Sequence, residues 1–134
     1  MEYIVGLVLA LFVSIFATSV GLDRDRGFYP TVMIVIALLY DLFAVMGGSS
    51  QALTIELIIS LGFIAVATWG FKRNLWLVVG ALAGHGIYDF LHGYLFSNPG
   101  VPHFWAGFCL TYDVVAAGYL AWLLKSSKIA AKFT

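Results

Sequence analysis

The stretch ALAGHGIYDFLHGYLF, residues 81–96, combines the composition of a membrane helix with three ionisable side chains. His85, Asp89 and His92 are four and three residues apart, so at about 100° per residue they share one face of an α-helix. Apolar residues such as Ile87 fall on the opposite face. The stretch therefore predicts a helix with one face suited to lipid and one polar face directed into a protein interior.

The composition of the whole chain predicts an integral membrane protein. Of its 134 residues, 62% are hydrophobic and 10% are charged, and the mean hydropathy is +0.97. A soluble domain is about 45–50% apolar and about 25% charged. The net charge is zero and the chain has no basic run, so a nucleic-acid partner is not expected. The single cysteine, Cys109, excludes an intrachain disulfide.

Apolar runs separated by turn-forming segments predict an all-α fold, a five-transmembrane-helix bundle that forms a single domain over 1–134. The runs are close to the length of about 20 residues that a span requires. The breaks between them contain Gly, Pro, Asn or charged residues, which are typical of helix ends. The predicted helices are 3–21, 30–46, 52–70, 75–96 and 104–124, with a basic tail at 125–134.

The basic residues predict the orientation of the bundle. All seven lie in the first loop, the third loop or the tail, and with five spans these segments fall on one side of the membrane. The positive-inside rule then places the N-terminus outside and the C-terminus in the cytoplasm of a multi-pass protein of the cell membrane (plasma or inner). The residues are Arg24, Arg26, Lys72, Arg73, Lys125, Lys128 and Lys132.

Four of the seven carboxylates fall inside predicted spans, where no Lys or Arg is present. An Asp at the centre of a membrane helix costs about 2.5–3.5 kcal/mol on insertion scales. These acids must therefore be protonated, form hydrogen bonds, bind a cation or line a wet cavity. They are Asp41, Glu56, Asp89 and Asp113.

The same four acids and the two histidines of residues 81–96 are predicted to lie in the outer half of the membrane. At about 1.5 Å per residue from the outer ends of the helices, their depths range from about 6 Å for Glu56 to about 16 Å for His85. Small residues beside each acid indicate positions that face other helices. The acids are therefore expected to converge on one polar site.

Imidazole and carboxylate ligands together suit Zn, Mn or Fe, so a divalent transition metal is the predicted cofactor. An acid that does not bind the metal could act as a general base. The predicted metal ligands are His85, Asp89, His92 and Asp41, and the predicted catalytic residues are Asp113 and Glu56. A protonatable site without metal, a ligand pocket, or hydrogen bonds that only hold helices together are the alternatives.

Three classes of function fit such a site. The first is metal-dependent hydrolysis of a lipid or small molecule that arrives from the outer side. The second is binding or translocation of a proton or metal ion, for which a homo-oligomer could supply the path. Here the His85-x-x-x-Asp89 spacing is similar to the transmembrane metal site of cation diffusion facilitators, a resemblance that covers two residues. The third is an accessory subunit of a larger membrane complex, with haem ligation by His85 or His92 as one form.

Overall fold

The computed structural model describes residues 1–24 and 26–132, which form five α-helices and no strand. The predicted all-helical fold is confirmed, and each helix begins and ends within two residues of its predicted bounds. Of the predicted basic tail, residues 133 and 134 lie outside the described range. The helices are α1 (Glu2–Val20), α2 (Phe28–Met46), α3 (Ser50–Lys72), α4 (Trp76–Leu95) and α5 (Trp105–Lys125).

Local sequence accounts for the helix ends. Helix α2 begins two residues before its predicted start because Pro30 fits the first turn, where a backbone N–H has no intrahelical partner. The side chain of Ser49 caps α3 by accepting a hydrogen bond from the backbone of Ala52 at 3.1 Å. Gly21 ends α1 in the left-handed conformation, with φ 86°, which favours glycine.

Four of the helices, α1, α2, α3 and α5, are long and apolar enough to cross a membrane, as expected for a membrane protein. Helix α4 has a similar length but is not among them. Its lower hydropathy follows from the ionisable side chains of His85, Asp89 and His92. These three side chains are buried inside the bundle, so the surface of α4 is more apolar than its sequence as a whole.

Helix α4 occupies the centre of the bundle. It packs against α5 on one side and against α3 and α2 on the other, and α1 packs against α5. The α1–α5 contact is close because Gly6 lies against the main chain of α5, where a Cβ would overlap the carbonyl oxygen of Phe108. Ala10 and Ser14 are buried on the same stripe of α1, because small residues four apart let another helix approach closely.

One end of the bundle, which we call the basic end, is formed by residues 21–24, 26–27, 71–75 and 126–132. Arg26 joins these segments by donating to the carbonyl oxygens of Phe71 at 2.7 Å, Ala130 at 2.8 Å and Ala131 at 3.0 Å. The three segments that carry the basic residues therefore share one end, as the alternating directions of successive helices require. The orientation of this end in a membrane remains a prediction.

The interior is divided into an apolar half and a polar half. The hydrophobic core lies toward the basic end and includes Met33, Val78, Leu82, Leu120 and Leu123. The buried ionisable side chains of α2 to α5 lie beyond it, later in α2 and α4 and earlier in α3 and α5. Neighbouring helices run in opposite directions, so these positions meet in the half of the bundle away from the basic end.

Candidate metal centre

His85, Asp89 and Asp113 form a buried group between α4 and α5, which we call the His-Asp-Asp cluster. The Nδ1 atom of His85 lies 2.7 Å from Oδ2 of Asp113 and 3.4 Å from Oδ2 of Asp89. The exposed fraction is 2% for His85 and 0% for each aspartate. One ligand atom from each residue lies within 4.8 Å of the other two, so the group could hold a metal ion.

Gly86 allows α5 to approach α4 beside this cluster. A Cβ at Gly86 would lie 3.1 Å from Cγ2 of Val114 and 3.5 Å from Cβ of Asp113. The first of these distances is tighter than an ordinary van der Waals contact. The absence of a side chain at this position therefore helps to bring the carboxylate of Asp113 to the imidazole of His85, the residue before the glycine.

Tyr40 connects the cluster to His92. Its hydroxyl donates to Oδ1 of Asp89 at 2.6 Å, and its ring stacks on the imidazole of His92 with centroids 4.1 Å apart and an interplanar angle of 9°. The ring of Tyr40 is buried. Tyr40 was not among the site residues predicted from the sequence, because its signal there is weak: a tyrosine inside an apolar helix, directly before Asp41.

A second buried group surrounds the carboxylate of Glu56. Nε2 of His92 lies 2.7 Å from Oε2 of Glu56, and the side-chain amide of Asn98 donates to the same oxygen at 2.6 Å. The hydroxyl of Tyr88 donates to the other oxygen, Oε1. Both carboxylate oxygens are therefore hydrogen-bonded by protein groups. We call these four residues the Glu56 group.

Asp41 belongs to neither group by its hydrogen bonds. Its Oδ2 atom accepts a hydrogen bond from the hydroxyl of Ser60 at 2.8 Å. Its Oδ1 atom is buried and has no hydrogen-bond partner among the described residues. The bond to Ser60 links α2 to α3.

Two oxygens of the His-Asp-Asp cluster, Oδ2 of Asp89 and Oδ1 of Asp113, are also buried. Neither accepts a hydrogen bond from any residue in the described ranges. A buried polar atom without a partner is uncommon and costs about 1–3 kcal/mol. The cluster also has two carboxylates for one imidazole, so a protonated His85 can balance only one of them. Buried charges are paired or coordinate metals, so these two oxygens without a hydrogen bond, one of them 3.4 Å from Nδ1 of His85, favour a cation site.

The structure brings two of the four predicted metal ligands, His85 and Asp89, into this cluster. The third member is Asp113, which the sequence analysis assigned to catalysis. Whether each residue is a ligand or a catalytic group remains a prediction, but the geometry favours Asp113 as a ligand.

The other predicted ligands lie elsewhere in the same polar half. His92 pairs with Glu56, the second predicted catalytic residue, and Asp41 pairs with Ser60. The six predicted side chains are thus all buried, as expected from their helix faces, but their hydrogen bonds divide them into three groups. His103, in the loop before α5, is exposed.

No protein-family profile, curated protein or solved structure matches this chain. Function is therefore inferred from the residues of the site. Within residues 1–24 and 26–132, the His-Asp-Asp cluster is the one group of three or more His, Cys, Asp or Glu side chains with the spacing of metal ligands. Cys109 is buried but is not part of it.

Proposed function

We propose that this protein binds a divalent transition metal (Zn, Mn or Fe) inside a membrane-spanning helix bundle, with His85, Asp89 and Asp113 as ligands. The observation that carries this proposal is the pair of buried oxygens on Asp89 and Asp113 that accept no hydrogen bond from the described residues, next to a histidine nitrogen. A divalent cation balances two carboxylates and a neutral imidazole. Mixed nitrogen and oxygen ligands suit these metals.

We propose hydrolysis of a lipid or small molecule as the reaction. Three protein ligands leave a coordination position open, which is characteristic of catalytic metal sites. A metal held there would supply a water that ionises near neutral pH and would polarise a carbonyl or phosphoryl group. His92 and Glu56 form a carboxylate–imidazole pair that Tyr40 links to the cluster, so this pair is the candidate for proton transfer.

The proposed topology has five spans, with the N-terminus outside and the basic end in the cytoplasm. Helix α4 supports this arrangement because Trp76 and Tyr94, 41% and 82% exposed, are separated by about 27 Å along the helix, as expected for rings at two membrane interfaces. Asp113 lies about 12 Å from the first residue of α5, so the proposed topology has the cluster in the outer half of the membrane.

Cysteine labelling in intact cells tests this orientation. In a Cys109→Ser chain, Ser97→Cys should react with a membrane-impermeant maleimide, because residue 97 is exposed in the outer loop between α4 and α5. Lys128→Cys should react only after the cells are permeabilised. The reverse pattern, or equal labelling of both positions, would rule out the proposed topology.

Metal analysis of the full chain, purified in detergent without chelators and then supplied with each metal, tests the site. We expect about one metal per chain, and a loss of affinity of at least about 100-fold for Asp113→Asn or Asp89→Asn. The matched control is Asp41→Asn, which removes a buried carboxylate outside the cluster, and it should retain the metal. Wild-type protein that binds none of the three metals would overturn the proposal.

A second candidate is proton binding or translocation without a metal. The observation that favours it is a row of buried polar side chains: Glu56 pairs with His92, the ring of His92 stacks on Tyr40, and the hydroxyl of Tyr40 donates to Asp89. In proteoliposomes that enclose a pH-sensitive dye, this function predicts a proton flux that chelators do not change and that His92→Ala abolishes. A flux that equals that of empty liposomes would exclude translocation.

A further inference from the structure

An apolar groove of about 710 Å³ lies between α1, α2 and α5. It exists because α1 packs against α5 whereas α2 packs against α3 and α4, which leaves space between α2 and the α1–α5 pair. All three helices are apolar enough to span a membrane, so the groove lies within the hydrocarbon layer. Its lining includes Leu9, Phe28, Val32, Val35, Ile36 and Phe108.

The groove runs along the bundle from the basic end toward the level of the candidate site. On α2 it extends from Phe28, near the basic end, to Leu39, a length of about 17 Å. The end at Leu39 lies beside the polar half of the bundle, since the next residue is Tyr40, which donates to Asp89. The groove is therefore mostly apolar along its length and reaches the level of the candidate site at the end away from the basic end.

Cys109 lies between the groove and the site. It lines the groove and is one helical turn before Asp113 on α5. It is also close enough to Asp89 and Asp113 to interact electrostatically with both carboxylates. A small side chain thus separates the apolar groove from the His-Asp-Asp cluster.

We propose that this groove binds the hydrocarbon chain of the substrate, so that the substrate is a single-chain or chain-bearing amphiphile of the outer leaflet. This inference rests on the proposed function. An outer-leaflet amphiphile has its head group at the outer surface and its chain directed inward, so its chain could lie along the apolar groove with the bond beside the head group at the level of the candidate site. The volume lies in the range of about 300–1,000 Å³ that small-molecule sites have.

Quenching of Trp105, which lines the groove, tests the proposal. A chain with Trp69→Phe, Trp76→Phe and Trp122→Phe retains this tryptophan alone. In phosphatidylcholine bilayers we expect saturable quenching by lysophosphatidylcholine brominated in its acyl chain. Unbrominated lysophosphatidylcholine should compete with the quencher, whereas glycerophosphocholine, which has the head group without the chain, should not.

Two substitutions on α2 provide the matched comparison. Val35→Phe fills the groove and should weaken binding by about tenfold, the effect of displacing about two methylene groups. Leu38→Phe adds the same ring at an exposed position outside the groove lining and should leave binding unchanged. If the triple tryptophan variant does not fold, native mass spectrometry of lysolipid bound to the otherwise wild-type chain and to these two variants makes the same comparison.

Quenching that rises linearly with the brominated lipid and is equal in both variants would show ordinary lipid contact and would overturn the proposal. Metal content measured on the same samples distinguishes a failure of the groove proposal from a failure of the proposed function. Saturable quenching in protein that binds no metal supports the groove and contradicts the metal proposal. Bound metal without saturable quenching contradicts the groove alone.

Discussion

Asp113→Asn should have opposite effects on stability with and without metal. Asparagine retains the size of the side chain and removes its charge. In metal-free wild-type protein, two fully buried carboxylates face the single imidazole of His85. The variant leaves one carboxylate, Asp89, opposite that imidazole. Because an uncompensated buried charge costs about 3–5 kcal/mol, the metal-free variant should be at least as stable as wild type.

With metal bound, wild type should be more stable than Asp113→Asn. At a free metal concentration of about 100 times Kd, a ligand that binds only the folded state stabilises wild type by about 2.7 kcal/mol. For a chain of this length that corresponds to a rise in Tm of about 10 °C. If loss of the Asp113 carboxylate weakens binding about 100-fold, the variant gains about 0.4 kcal/mol at the same concentration, and its Tm rises by about 1–2 °C.

Thermal unfolding in detergent, followed by tryptophan fluorescence with EDTA and then with Zn, Mn or Fe(II), measures both effects. Asp41→Asn is the control. Like Asp113, Asp41 is a buried carboxylate with one oxygen that has no hydrogen-bond partner among the described residues, but its hydrogen bond goes to Ser60, outside the cluster. It should show the full metal-dependent rise. An equal rise in wild type and Asp113→Asn would refute the assignment of Asp113 as a ligand.

Three further predictions concern packing, the basic end and the site. Gly6→Val should destabilise the protein by about 1–3 kcal/mol, because the valine side chain would overlap the main chain of α5. The control Gly62→Ala, at a position in open space, should leave Tm unchanged or slightly raised. Equal Tm values for the two variants would contradict the close α1–α5 contact. Arg26→Ala removes three hydrogen bonds to main-chain carbonyls and should therefore speed tryptic cleavage of the C-terminal tail by about tenfold. Arg24→Ala, which changes an exposed side chain, should leave the cleavage rate unchanged. Tyr40→Phe removes the hydroxyl that donates to a ligand carboxylate and should weaken metal binding by about 10–100-fold in metal titrations, with unchanged affinity as the contrary result.

The sequence predicted the helices well because lipid imposes a length and an apolar composition on every span. Helix α4 shows why hydropathy alone is insufficient. The side chains that lower its hydropathy, His85, Asp89 and His92, are the ones that the neighbouring helices bury. Their common helical face, rather than their average hydropathy, indicated that the segment belongs in the bundle.

The sequence also predicted which side chains face inward but not how they pair. Helical periodicity gives the direction of a side chain relative to its own axis and contains no information about which helix lies beside it. The pairing of His92 with Glu56, and of Asp113 with His85, follows from α4 lying between α3 and α5. The grouping of the polar side chains therefore required the helix order.

Asn98 was beyond prediction for a different reason. The segment SNPGVPH has the composition of a turn, and an Asn before a Pro is typical of turns. Its side chain nevertheless donates to Glu56 at 2.6 Å, since the loop between α4 and α5 folds over the end of the bundle. Nothing in the local sequence distinguishes a turn asparagine exposed to water from one that binds a buried carboxylate.

The packing of α1 against α5 has a consequence for how the protein is made. Helix α1 has its main partner in α5, so about 100 residues are synthesised after α1 before the two can meet. At about 5–20 residues per second that delay is about 5–20 s. During this interval the stripe of Gly6, Ala10 and Ser14 has only lipid or an insertion factor as a neighbour, and nascent chains arrested before α5 should cross-link there.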